Sequence, residues 1–157
     1  MRPFAAVAVL AALASGCSNG TRTSACAADH LGVFVGFGSG GGAMIGDVSM
    51  RNRGSTACTL DGRPVVAMLD GRGHPLPVRL VNSTAGKPIE VRPNDQASVH
   101  FQWRNWCKVD FPPRVTMRLS LPAGGGAIRA TGTLGRPRCD AQRLPSTLHV
   151  GPFIAGA

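Results

Sequence analysis

The chain has 157 residues, of which 43% are hydrophobic and 16% charged, with 21 glycines, 12 prolines and no tyrosine. That length suits one domain with a real core and leaves too little for two. Basic residues outnumber acidic ones 17 to 8 for a net charge of +9; the arginines are dispersed rather than clustered, which reads mainly as a solvated surface, excludes nucleic acid and leaves open anionic lipid heads or wall polymers.

The amino terminus, "MRPFAAVAVLAALASGC", places one cation at Arg2 ahead of an apolar run and ends in the small residues Ala14, Ser15 and Gly16 before Cys17. These are the parts of a secretory signal. The run of about eleven to fourteen residues is short of the roughly 18 to 20 that span a bilayer as a helix. "LASGC" resembles the lipobox of bacterial lipoproteins, with Ala14 where Leu is commoner. The resemblance implies a diacylglyceryl thioether on Cys17, cleavage after Gly16 and a lipid anchor on the outer face of the cytoplasmic membrane. Plain secretion is the alternative. The expected organisation is a cleaved signal over 1–16, a polar tether over 17–25 and a domain over 26–154.

With Cys17 lipidated, Cys26, Cys58, Cys107 and Cys139 remain, an even number in an exported chain, which predicts two disulfides. Three pairings are open. Cys26 with Cys58 and Cys107 with Cys139 is favoured, because both loops then hold about 33 residues and each is expected to stabilise the fold by roughly 3 to 4 kcal/mol. No C-x-x-C or C-x-x-H spacing supports zinc.

In chain order, the first strand is expected over His30–Val35. The stretch "LGVFVGFGSGGGA" then offers Gly36, Gly38 and Gly41 in the dinucleotide spacing G-x-G-x-x-G. Such a loop needs a helix directly after it, whose N-terminus binds the pyrophosphate. Instead "MIGDVSMRN" alternates as a strand, so the glycines read as a long, flexible loop between two strands. Further strands are expected over Val65–Leu69, Leu76–Val81 and Ile89–Val91. "ASVHFQWRN" alternates Val99, Phe101 and Trp103 against His100, Gln102 and Arg104. "RVTMRLSLP" alternates Val115, Met117, Leu119 and Leu121 against Thr116, Arg118 and Ser120. Ala127–Thr133 and Thr147–Val150 close the series, and Asp61-Gly62, Asp70-Gly71 and Asn94-Asp95 supply turns. No window has a helical period. Short strands at about ten-residue spacing predict an all-β, antiparallel β-sandwich.

The stretch "MRNRGSTACTLDGRPVVAML" resembles actinobacterial secreted proteins grouped as domain of unknown function 4232, through Asn52, Gly54, Cys58, Thr59, Leu60, Gly62 and Pro64. "VRPNDQASVHFQWRNWC" and "RCDAQRLPSTLHVGPF" resemble that family's Pro-centred turn, Trp-bearing strand, third and closing cysteines and last strand. Arg63 stands where an aromatic is common. The resemblance covers about Cys26 to Phe153. It implies a single immunoglobulin-like sandwich, often behind a lipoprotein signal, and no established activity.

No catalytic constellation is legible. Ser39 lacks the flanking glycine of a hydrolase elbow, and eight acids are scattered without a close pair. Copper could draw on His30, His74, His100 and His149 with Met44, Met50, Met68 and Met117, but Met50 and Met117 fall on the apolar phase, where methionine fills cores. No cofactor and no metal ligand are therefore assigned. Arg51 and Arg118, on polar strand faces, and Trp106, out of phase at a strand end, are the candidate contact residues; for Trp106, covering the disulfide is the favoured role and surface contact the weaker one. The expected function is a lipid-anchored binding or interaction module of the cell envelope without catalysis, its partner an envelope protein or anionic polymer. The alternative is a carrier of a small ligand or a metal such as copper.

Overall fold

Period-two alternation needs a second apolar layer to cover its buried face, and the computed structural model supplies one. It describes residues 23–82, 85–132 and 135–156. The expected signal, Cys17 and most of the expected tether lie outside the described residues. Ten strands are present: β1 (Leu31–Gly40), β2 (Ala43–Asn52), β3 (Cys58–Leu60), β4 (Val65–Leu69), β5 (Val78–Asn82), β6 (Ile89–Val91), β7 (Gln96–Arg104), β8 (Val115–Ser120), β9 (Ala127–Gly132) and β10 (Ser146–Ala155). One sheet runs β1-β2-β7-β10-β5, a second β4-β8-β9, and β3 pairs with β6. No helix of the described residues is long and apolar enough to cross a membrane.

The inward phases meet in one core. Val48 and Met50 of β2, Val99, Phe101 and Trp103 of β7, and Leu148, Val150 and Phe153 of β10 pack with Val115, Met117 and Leu119 of β8. Each such side chain contributes about 1.5–3 kcal/mol on burial, so together they outweigh either disulfide. A bulge between Val150 and Phe153 lets both point inward. The sheets are mainly antiparallel; β5 lies parallel to β10, with Thr147 beside Arg79.

The glycine stretch corrects the expectation of a flexible loop. Gly36, Gly38 and Gly40 lie inside β1, which pairs with β2 over all ten residues from Leu31↔Asn52 to Gly40↔Ala43. Only Gly41 and Gly42 form the turn, with φ of 57° and 81°. Positive φ at both central residues is what a tight hairpin of type I′ requires. The alternating strand that follows gives each glycine a main-chain partner, and this offsets its entropy cost. Gly46 sits between Phe37 and Phe101 in the ladder, and their rings meet across it with centroids 5.4 Å apart.

Both disulfides form as favoured, Cys26–Cys58 and Cys107–Cys139, each at a sequence separation of 32. Cys26 donates its N–H to the Thr59 carbonyl at 3.0 Å, so the first bridge ties the incoming chain to β3.

Candidate binding site

Among the described residues two asparagines are the buried polar ones: Asn52 at 1% exposure and Asn105 at 7%. Asn105 follows the last residue of β7 in a left-handed conformation, φ 60°, which asparagine tolerates better than most residues. Its amide donates to the carbonyls of Ala141 (3.0 Å) and Leu144 (2.8 Å), and its oxygen accepts from the amides of Asp140 (3.0 Å) and Ala141 (2.9 Å). One side chain thus holds the 140–145 loop, which Cys107–Cys139 staples from the other side. Trp103 Nε1 donates to Ser146 Oγ at 2.8 Å, and that hydroxyl donates to the Arg104 carbonyl at 3.2 Å, fixing the start of β10.

The reversal at Asn105 also decides between the two roles open to Trp106. A strand continued past Arg104 would turn this ring outward, but the left-handed residue returns it to the core at 2% exposure. Its ring meets Trp103 at 5.4 Å and 86° and Phe111 at 5.6 Å and 89°. Its Nε1 is buried without a hydrogen-bond acceptor; perpendicular aromatic faces give such a group weak N–H···π contacts. Trp106 is therefore a core residue, packed with Trp103 and Phe111, not a surface contact.

The held loop and the outer face of the five-stranded sheet enclose a cleft of about 350 Å³. Its floor is a row across three strands, Arg104 of β7, Thr147 of β10 and Arg79 of β5. Ala141, Leu144 and Pro145 form one wall, and Asp140 sits at the side, 3.8 Å from Arg138 Nε. None of these residues was singled out from the sequence as a contact. Arg79 and Arg104 read only as polar-phase residues, and the parallel pairing that aligns them leaves no local signal.

The residues that were singled out lie elsewhere. Arg51 is on the outer face of the five-stranded sheet, where its Nε donates to the Asn94 carbonyl at 3.1 Å. Arg118 is on the outer face of the other sheet, directly opposite Arg129 in the ladder, so the two candidates point away from each other. The histidines do not gather with the methionines. Met44, Met50, Met68 and Met117 are all buried, while His30 lies beside Asp29, His74 beside Asp70 and His100 Nδ1 is 3.1 Å from Asp47 Oδ1. His100 and His149 share a shallow hollow. Among the described residues no three His, Cys, Asp or Glu side chains are grouped to hold a metal.

Fold and stapling together define a small, disulfide-stapled β-sandwich domain whose outer faces carry arginines. A family model for a domain of unknown function, DUF4232, matches residues 26–153. The chain belongs to that family. Neither the curated proteins nor the solved structures yield a match.

Proposed function

We propose that the protein is an exported, lipid-anchored binding module of the bacterial cell envelope that acts by contact rather than catalysis, with an anionic polymer or an envelope protein as its partner. The observation that carries this reading is the state of the arginines. Of the described arginines only Arg92 and Arg138 meet a carboxylate within 4 Å. Unbalanced cations on both outer faces attract an anionic partner over a Debye length. The lipobox-like segment supports display of that surface at the membrane's outer face, as an immunoglobulin-like adaptor would be displayed.

Two experiments test it. Cys17→Ser should release the protein from membranes, and continued membrane association would sink the anchor. Association with envelope material should weaken as salt rises from about 0.01 M to 0.15 M, where the Debye length falls from roughly 30 Å to 8 Å. Salt-independent association would count against an anionic partner.

The carrier reading is favoured by one observation, the hollow that His100 and His149 share beside Asp47. A carboxylate on Nδ1 leaves Nε2 as a ligand atom. A copper titration showing no sub-micromolar site would eliminate it.

A further inference from the structure

We infer that the cleft over Arg104, Thr147 and Arg79 binds a phosphate ester. This deepens the proposed binding role and rests on the reading that the partner is anionic.

The row is built for one ligand between two cations. Thr147 pairs with Arg104 on one side and with Arg79 on the other, so the three side chains rise from the same face. The two arginine backbones stand two strand spacings apart, about 9.5 Å. Long side chains from both can converge above Thr147. Among the described residues neither arginine meets a carboxylate within 4 Å. The one acid of the cleft, Asp140, is already 3.8 Å from Arg138 Nε. Two unneutralised guanidinium groups in a single row repel each other, and an anion between them removes that repulsion.

The chemistry selects phosphate over carboxylate. A carboxylate presents both oxygens to one side and suits one guanidinium fork. A tetrahedral phosphate presents oxygens to two opposite sides, one for each arginine, with the Thr147 hydroxyl available beneath. Its ester group then faces Leu144, Pro145 and Ala141, which line the same cleft. This wall suits the carbon chain of an ester rather than a bare ion. The frame is rigid, because Asn105 clamps the loop through both ends of its amide. Little ordering is left for binding to impose.

The test uses the full-length chain carrying Cys17→Ser, recovered after export, with three probes: inorganic phosphate, a soluble glycerol phosphate oligomer, and phosphatidylcholine vesicles with and without phosphatidylglycerol. The oligomer or the phosphatidylglycerol vesicles should bind saturably and more tightly than inorganic phosphate. Arg79→Gln and Arg104→Gln should each weaken binding about tenfold, in line with loss of a charge-assisted hydrogen bond, and Thr147→Val about threefold. Arg118→Gln and Arg129→Gln, equal charge changes on the other sheet, should leave it within about twofold. These four arginines are exposed, so melting temperature serves as the folding control. Binding to the oligomer alone identifies a polymer source, and binding to vesicles alone a lipid headgroup; each supports phosphate recognition. Equal weakening by all four arginine variants overturns the cleft while leaving an anion-binding module standing. Absence of binding to every probe overturns the cleft, and the Cys17 experiment then decides the anchor separately.

Discussion

The two ends of the five-stranded sheet use the same parts for different purposes. β2 and β7 run antiparallel, so Asn52, closing β2, and Asn105, following β7, mark opposite poles. Each buried asparagine stands near a disulfide with a 32-residue separation. Asn52 donates to the carbonyls of Thr56 (2.8 Å) and Val91 (2.9 Å) and accepts from the Gly54 amide (2.9 Å). Two of these three partners lie within four residues, and the product is a closed turn. All the main-chain partners of Asn105 lie 35 to 40 residues away. There the product is a loop propped against the sheet with a cleft beneath it. A buried amide is thus neutral about outcome: the sequence distance of its partners decides whether it seals an end or frames a site.

That contrast can be broken most strongly at the disulfides. Replacing Cys26 and Cys58, or Cys107 and Cys139, with alanine should cost roughly 3 to 4 kcal/mol in each case, because the loops are equal. Denaturant melts would measure this. Only the second pair should also weaken binding of the glycerol phosphate oligomer. Next come the asparagines: Asn52→Ala and Asn105→Ala should each cost about 3 kcal/mol, since buried main-chain groups lose their partners. Amide exchange should accelerate at Gly54 in the first variant and at Asp140 and Ala141 in the second. Equal acceleration at both poles in either variant would show that the two ends are not independent.

Acid gives a smaller and sharper comparison. Between β4 and β5 the Asp70 carboxylate accepts the amides of Arg72 and His74, both at 2.8 Å. These bonds, that to His74 foremost, hold its pKa below the usual aspartate value. The folded pKa is the lower one, so the loop's extra stability is present above roughly pH 4 and is lost as pH falls through the folded value. Protection at Arg72 and His74, taken relative to the free-peptide exchange rate at each pH, should therefore fall in acid, while amides held by Asn52 and Asn105, whose side chains do not titrate, keep theirs. Smallest is the row Arg118–Arg129. Like charges directly opposite each other destabilise a ladder, so Arg129→Thr should raise stability by about 0.2 to 1 kcal/mol; a lower melting temperature would contradict this.

Much of the fold was legible because alternation is a local signal. β2, β7 and β8 lie where Val48, Phe101 and Met117 fall on a period of two, and the bridges follow from four cysteines in equal spans. Gly36 to Gly40 misled because glycine content speaks for freedom, whereas strand pairing is decided by the neighbour, here Ala43–Asn52. The burial of Trp106 was only partly legible, because one left-handed residue, Asn105, reverses the phase that preceded it. An asparagine between two tryptophans just after an alternating strand was the available hint. The arginine row was illegible for a different reason: it needs β5 parallel to β10 across more than sixty residues, and no local pattern encodes a parallel register.

The pairing of Leu31 with Asn52 carries one more consequence. The chain enters the sandwich at the Asn52 pole, where Cys26 is fastened to Cys58, and the arginine row lies at the other. A strand of nine or ten residues separates them, about 30 Å at 3.3 Å per residue. Under the proposed anchor, which would hold the domain by its amino-terminal side, the sandwich would act as a standoff and carry the cleft outward by its own length. A phosphate meeting the proposed cleft at that height would belong to a chain rising away from the bilayer more readily than to the lipid surface beneath.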